Sequence, residues 1–264
     1  LAQEIITKRV NSEYLPGVNI PQNVHVCSSI KDAVNDANVI VIAVPSQYLR
    51  GVAKEIKDHI NKDTTVCSAS KGIEIGSFKR MSEIIHEETH LPKKNIAVIS
   101  GPSHAEEVSR GKITTVVVAS SSDETANYIQ KIFSTQTFRI YTSKDVKGVE
   151  YGGALKNIIA IGAGICDGLQ RINNAEKKTI IGDNTKASLL TRGIEEIARL
   201  GIMLGSKKRT FYGLSGWGDL LVTSYSGFGR NRLVGECLAM GMDLDQIKRE
   251  RLHGMVPEGV ETTK

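Results

Sequence analysis

Short apolar runs alternate with helical spacings over the first half of the chain. Val24-His25-Val26-Cys27 reads as a weak strand, and Ile30 to Ala37 has the spacing of a short amphipathic helix. Val39-Ile40-Val41-Ile42-Ala43-Val44 is apolar throughout and ends at Pro45, the pattern of a strand buried on both faces of a parallel sheet. Leu49, Val52, Ala53, Ile56 and Ile60 recur at helical intervals. Further strands are expected at residues 64–68, 96–100, 114–119 and 138–141, and further helices at 81–88 and 124–133. This alternation predicts an α/β doubly wound, Rossmann-like N-terminal domain.

Beyond Ser143 the pattern changes. Strand-like runs stop, and long helical spacings take over at residues 146–169, 187–204 and 231–240, separated by Gly-rich turns. A second, all-α C-terminal domain follows, giving expected domains of 1–142 and 143–264. Residues 170–181 are polar and read as a long mobile loop.

Composition narrows the classes. The chain has 264 residues, 40% hydrophobic and 24% charged, enough for a sizeable core. The formal net charge of +5 comes from scattered residues, and Lys207-Lys208-Arg209 reads as a solvated turn. Basic residues interleaved with aromatics are lacking, so no nucleic-acid partner is expected, and a small anionic substrate suits the mild basic excess. Cys27, Cys67, Cys166 and Cys237 lie far apart, without metal-ligand or disulfide spacing, so no metal is expected and the setting is a reducing, cytoplasmic one. No apolar run reaches membrane-spanning length. The first residues, Leu1-Ala2-Gln3-Glu4, are neither a signal peptide nor a Met start, so the sequence is expected to be a piece of a longer chain.

Candidate chemistry begins at Lys156. It lies in Tyr151-Gly152-Gly153-Ala154-Leu155-Lys156-Asn157-Ile158-Ile159, which reads as a buried helix crowded by small residues. A lysine there either meets an anion, loses its proton or snorkels to the surface. The ends of three strands carry small and polar residues: Pro45-Ser46-Gln47, Ser70-Lys71-Gly72 and Gly101-Pro102-Ser103-His104-Ala105. Ligands bind beyond the carboxyl ends of strands in such sheets, although plain turns use the same residues. Lys71 points into that cleft or into solvent. His104 reads as structural and stays outside the catalytic set. Asp219, after Gly216-Trp217-Gly218, pairs with Lys156, orients it or binds a substrate hydroxyl, or else caps a helix. Arg230 and Asn231 offer a guanidinium and an amide for a phosphate, or sit at the surface beside a helix start.

Taken in order, several segments resemble the bacterial-type NAD(P)-dependent glycerol-3-phosphate dehydrogenase family. They are Tyr14-Leu15-Pro16-Gly17-Val18, Ala43-Val44-Pro45-Ser46, Ser70-Lys71-Gly72-Ile73-Glu74, residues 101–107, Ala154-Leu155-Lys156-Asn157, residues 183–187, Thr191-Arg192-Gly193, residues 216–220, Arg230-Asn231-Arg232 and Glu258-Gly259-Val260. The resemblance implies a dinucleotide-binding domain and a helical substrate-binding domain. It implies NAD- or NADP-dependent interconversion of dihydroxyacetone phosphate and sn-glycerol 3-phosphate for glycerophospholipid synthesis; a homodimer is expected only as the general default for soluble oligomers.

By resemblance, Lys156 is the general acid/base, with Lys71 and Asp219 completing the catalytic set. Gly101, Ser103, Arg230 and Asn231 join those three in substrate binding. Lys71, Ala105, Arg230, Val256 and Glu258 match cofactor contacts. The family's Gly-x-Gly-x-x-Gly loop has no match, Gly229 replaces a serine, Pro257 interrupts a valine position, residues 170–181 are longer than the family's turn there, and the family's last helices have no counterpart after Lys264. The competing readings are a hydroxyacyl-CoA or ketopantoate-type dehydrogenase and a non-catalytic phosphometabolite-binding module.

Overall fold

The computed structural model describes residues 1–176, 180–252 and 254–263, with the side chains of 173–176 left aside. Helix α1 (Ala2–Lys8) leads into a small antiparallel hairpin, β1 (Val10–Asn11) and β2 (Leu15–Asn19). Asn11 turns it by accepting the Tyr14 amide through Oδ1 at 3.0 Å. The strand expected at residues 24–27 does not form. Val24 N–H closes a turn onto the Pro21 carbonyl, its own carbonyl accepts from Arg9 Nη2, and no neighbouring strand offers a ladder.

Helix α2 (Ile30–Val34) starts at Ser29, whose hydroxyl accepts the Asp32 amide. Strand β3 (Val39–Ile42) follows, then a 3-10 turn at Ser46–Tyr48 and α3 (Leu49–Ile56). Next come β4 (Thr65–Ser68), α4 (Met81–Thr89), β5 (Ile96–Ser100), the single turn α5 (Ala105–Val108), β6 (Thr114–Ser120), α6 (Asp123–Phe133) and β7 (Phe138–Ser143). The five strands β3 to β7 form one sheet in sequence order.

Two features depart from the sequence reading. Val41 is 44% exposed, because β3 pairs only with β4 and forms the sheet edge, so it is not covered on both faces. The sheet is also mixed: β5 and β6 are antiparallel, while β3–β4, β4–β5 and β6–β7 are parallel. A parallel return needs a crossover long enough to traverse the sheet. Residues 101–113 hold only the one-turn α5, and the chain doubles back. One apolar core lies between the sheet and α2–α4, around Leu49, Ile56, Met81 and Ile84, and a second between the sheet and α6, around Val116, Val118 and Ile129.

Among the described residues every regular element after Ser143 is a helix. Helix α7 (Val146–Glu176) is the axis, followed by α8 (Asp183–Met203), α9 (Lys208–Phe211), a π-turn at Leu214–Gly218, α10 (Asp219–Tyr225), α11 (Arg230–Ala239), α12 (Leu244–Glu250) and α13 (Glu258–Thr263). The expected loop from residue 170 is helix up to Glu176: no Gly or Pro interrupts it, and Arg171 pairs with Glu236 of α11. Residues 177–179 of that expectation lie outside the described residues. The basic triplet at 207–209 begins α9, with Lys208 stacked over the Tyr212 ring.

Helices α7 and α11 approach until backbones touch. A Cβ on Gly164 would stand 1.9 Å from the Arg232 carbonyl oxygen, and one on Gly235 would stand 1.9 Å from that of Ile161. The helical part is tied to the sheet by a buried ion pair. Glu150 of α7 accepts from Arg80 Nη1 and, at 2.7 Å each, from the amide and hydroxyl of Ser82 at the start of α4.

Candidate active site

Glycines set the position of Lys156 on α7. A Cβ on Gly153 would come within 2.8 Å of Ser100 Oγ at the end of β5, and one on Gly152 within 2.8 Å of the Ser215 carbonyl oxygen in the π-turn. Small residues therefore let the helix lie against both. One turn on, Lys156 faces the first residue of α10. It is 5% exposed and does not snorkel. Its Nζ donates to Asp219 Oδ1 at 2.6 Å and to Thr223 Oγ1.

Asp219 joins two lysines. Its Oδ2 accepts from Lys71 Nζ at 2.7 Å, and Lys71 also donates to the Gly101 carbonyl at 3.0 Å. Asp219 is 1% exposed and spends both oxygens on ammonium groups instead of capping α10. Lys71 thus turns into the cleft. Gly101 has φ +146°, a conformation suited to glycine, and a Cβ there would strike the Val116 Cα at 2.9 Å. That backbone aims its carbonyl at Lys71.

The electrostatics follow from burial. Desolvation draws the Lys156 pKa down to about 8, with Lys71 and Arg230 pushing the same way and Asp219 opposing. Burial works to raise the Asp219 carboxyl, but the two ammoniums outweigh it and hold the group below its ordinary value. The cluster at neutral pH is one carboxylate between two ammoniums, with Lys156 close to releasing its proton.

The other candidates surround this cluster to different degrees. Ser103 donates to the Gly101 carbonyl at 3.0 Å. Ala105 opens α5 and, with Lys71, Ser103, Ile99, Val116 and Phe138, borders a cavity of about 220 Å³. Arg230 is exposed at the first position of α11, and its charge acts on both Lys156 and Glu258. Asn231 is buried, with Oδ1 accepting the Gly259 amide at 2.9 Å. Glu258 does not touch the lysines: it accepts from the Ser46 amide at 2.8 Å and hydroxyl at 2.5 Å. Val256 is half-buried in the segment before α13 and makes no hydrogen bond to the cluster.

Two residues outside the candidate set stand in the site. Thr223, four residues after Asp219 on α10, presents its hydroxyl to Lys156; the i, i+4 spacing was the available signal. His104 lies against Phe228, ring centroids 6.1 Å apart, and its Nε2 is buried without a partner among the described residues. Burial lowers its pKa, as do Lys156 and Lys71, so the imidazole is neutral. Among the described residues no group of acidic, His and Cys side chains could hold a metal ion, and no helix is long and apolar enough to cross a membrane.

Residues 1–126 match the model of the NAD-dependent glycerol-3-phosphate dehydrogenase N-terminus, and residues 145–264 that of its C-terminus. A glycerol-3-phosphate dehydrogenase [NAD(P)+] of Fusobacterium nucleatum is 44% identical over 263 residues, covering 100% of this chain and 75% of the relative. One of Bacillus anthracis is 47% identical over 267 residues, covering 100% and 74%. The crystal structure of glycerol-3-phosphate dehydrogenase from Coxiella burnetii superposes with a TM-score of 0.90 at 33% identity, over 99% of this chain and 76% of that one. The enzyme from Dunaliella salina superposes with 0.89 at 28% identity, over 100% and 45%.

Proposed function

The chain belongs to the NAD-dependent glycerol-3-phosphate dehydrogenase family, and from that premise we propose that the Lys71–Asp219–Lys156 cluster is its reaction centre. The reaction is the reduction of dihydroxyacetone phosphate to sn-glycerol 3-phosphate with NADH or NADPH, and its reverse. The observation that carries this reading is Asp219, whose two oxygens are divided between Lys71 and Lys156 at 2.7 and 2.6 Å.

Lys156 gives its proton to the substrate C2 oxygen in reduction and takes it back in oxidation. A pKa of about 8 suits both directions near neutral pH. Asp219 keeps the amine aligned and sustains its charge. Lys71 supplies a second cation where negative charge develops on that oxygen. Arg230 and Asn231 take the phosphate, Arg by its planar fork and Asn231 by the amide nitrogen that its bond to Gly259 leaves free. Gly101 and Ser103 complete the substrate wall.

The bound nicotinamide supplies the hydride. The residues present fit its reactive end: the cavity beside Lys71 and Ser103 has apolar walls in Ile99, Val116 and Phe138, a lining suited to a flat ring. Lys71, Ala105, Arg230, Val256 and Glu258 would hold it. We assign cofactor binding to residues 1–142 and substrate binding to 143–264. We further place the protein in the cytoplasm as a homodimer serving glycerophospholipid synthesis, without a nucleic-acid partner.

The test is loss of reduced-nicotinamide absorbance with dihydroxyacetone phosphate, using the full-length protein beside Lys156→Ala. Turnover is expected in the first and a loss of roughly a hundredfold or more in the second. Absence of turnover with both NADH and NADPH would sink the reading. Full activity in Lys156→Ala would move the proton to another donor.

A further inference from the structure

Two consecutive residues at the start of α13 are wedged between the neighbours of the two lysines. On one side, the Glu258 carboxylate accepts the Ser46 amide and hydroxyl, 212 positions away in the chain. Ser46 presses on Gly72, the residue after Lys71: a Cβ on Gly72 would stand 2.4 Å from Ser46 Oγ and 3.1 Å from Glu258 Oε2. Gln47 ties the same turn to the segment after Lys71, donating through Nε2 to the Ile73 carbonyl at 2.8 Å and accepting the Ile75 amide through Oε1 at 3.0 Å. On the other side, the Gly259 amide donates to Asn231 Oδ1 at 2.9 Å. A Cβ on Gly259 would stand 2.7 Å from the carbonyl oxygen of Asn157, the residue after Lys156.

We propose that Glu258 and Gly259, with Ser46, form a clasp that sets the separation between the Lys71 loop and the Lys156 helix, so that Asp219 reaches both. In the clasp these residues act by positioning, beside the cofactor contact proposed for Glu258, and the inference rests on the Lys71–Asp219–Lys156 cluster being the reaction centre. The geometry gives the reason. Lys71 sits on a loop, and among the described residues its Nζ is held by the Gly101 carbonyl besides Asp219. Lys156 sits on a rigid helix. A bridge with both oxygens committed tolerates little drift between these supports, and small misplacements of reacting groups cost orders of magnitude in rate. The serine hydroxyl and the glycine at these two positions are what let the clasp close.

Charges facing Lys156 are Asp219 on α10, Lys71 on the loop after β4 and Arg230 on α11, and the neutral His104 imidazole on the loop after β5 is the titratable group beside them. Releasing the clasp lets Lys71 recede, removing a cation that disfavours the Lys156 ammonium. The Lys156 pKa then rises.

The experiment uses full-length protein, unsubstituted and as Ser46→Ala and Gly259→Ala. Lys156 is titrated without substrate by NMR of lysine labelled with carbon-13 at Cε, its signal assigned by its loss in Lys156→Met. Turnover is measured in parallel. Expected are a Lys156 pKa higher by about half a unit or more in folded Ser46→Ala and a kcat lower by roughly tenfold with a smaller change in KM for dihydroxyacetone phosphate. Gly259→Ala, if folded, should move both further. An unmoved Lys156 titration in folded Ser46→Ala overturns the clasp, as does a rise confined to the cofactor KM. The titration reads the clasp even where no turnover is found, and that second failure would count against the dehydrogenase reading alone.

Discussion

At the level of single residues, the chemistry depends on how far burial draws down Lys156 against the pull of Asp219. With the pKa near about 8, the ammonium dominates at neutral pH. Reduction consumes the protonated form, so kcat for dihydroxyacetone phosphate should fall as pH rises through about 8. Oxidation of glycerol 3-phosphate needs the free amine and should rise through the same point. Rate profiles in the two directions check this, and two flat profiles would count against Lys156 as the proton carrier. Asp219→Asn removes the one group that raises the Lys156 pKa, leaving burial, Lys71 and Arg230 to lower it. The limb should move to lower pH and kcat should drop at least roughly tenfold. A limb displaced upward would show that Asp219 does not sustain the Lys156 ammonium.

Among the elements, close contact outweighs helix propensity at the α7–α11 crossing. Gly235→Ala would gain about 1 kcal/mol of intrinsic helix preference. Its Cβ, however, would lie 1.9 Å from the Ile161 carbonyl oxygen, backbone against backbone with nothing flexible to yield. Overpacking of this kind costs typically about 1–3 kcal/mol and more where backbones must part, so a net loss of about 2 kcal/mol is expected in denaturant unfolding. A stabilised variant would mean that the helices are free to separate.

The same elements show what the sequence disclosed. Strand β5 lies at Ile96–Ser100, where an apolar run between polar flanks placed it, and α6 begins one residue before its expected start. The β1–β2 hairpin was not legible, because Leu15-Pro16-Gly17 reads locally as a turn while pairing with Val10 and Asn11 makes it a strand. The direction of β6 was not legible either. Nothing in Thr114–Ser120 encodes it; the short 101–113 connection does. Lys156 stood out because a cation in an apolar helix needs an explanation. Thr223 was legible only as a neighbour of Asp219 in the same Gly-rich segment, since its hydroxyl gains its partner once α10 carries it beside Lys156. The Ser46–Glu258 contact joins positions too distant for any local pattern to reveal.

Over the whole molecule, polar ties of different kinds hold the N-terminal half to the helices that follow Ser143, and three stand out among the described residues. Glu150 binds Arg80 and Ser82, Asp219 binds Lys71, and Glu258 binds Ser46. The first is the most buried as a pair, with Arg80 6% and Glu150 8% exposed. Burial raises the Glu150 carboxyl against the pull of Arg80, so the pair is costly to form and costlier to halve. Glu150→Ala leaves the guanidinium with Glu83 but strips the Ser82 amide and hydroxyl of their acceptor, an expected loss of about 3–5 kcal/mol. Because this tie joins α4 to α7, the loss should appear as lost cooperativity as well as a lower midpoint. Trp217, the single tryptophan of the chain, sits in the π-turn before Asp219 and reports on the helical side of the cluster. Far-ultraviolet circular dichroism reports on both parts. In the unsubstituted protein the two denaturation curves should coincide, and in Glu150→Ala they should separate. Curves that stay superimposed while the midpoint falls would show that Lys71–Asp219 and Ser46–Glu258 couple the halves without Glu150, and would make the proposed reaction centre the main joint of the fold.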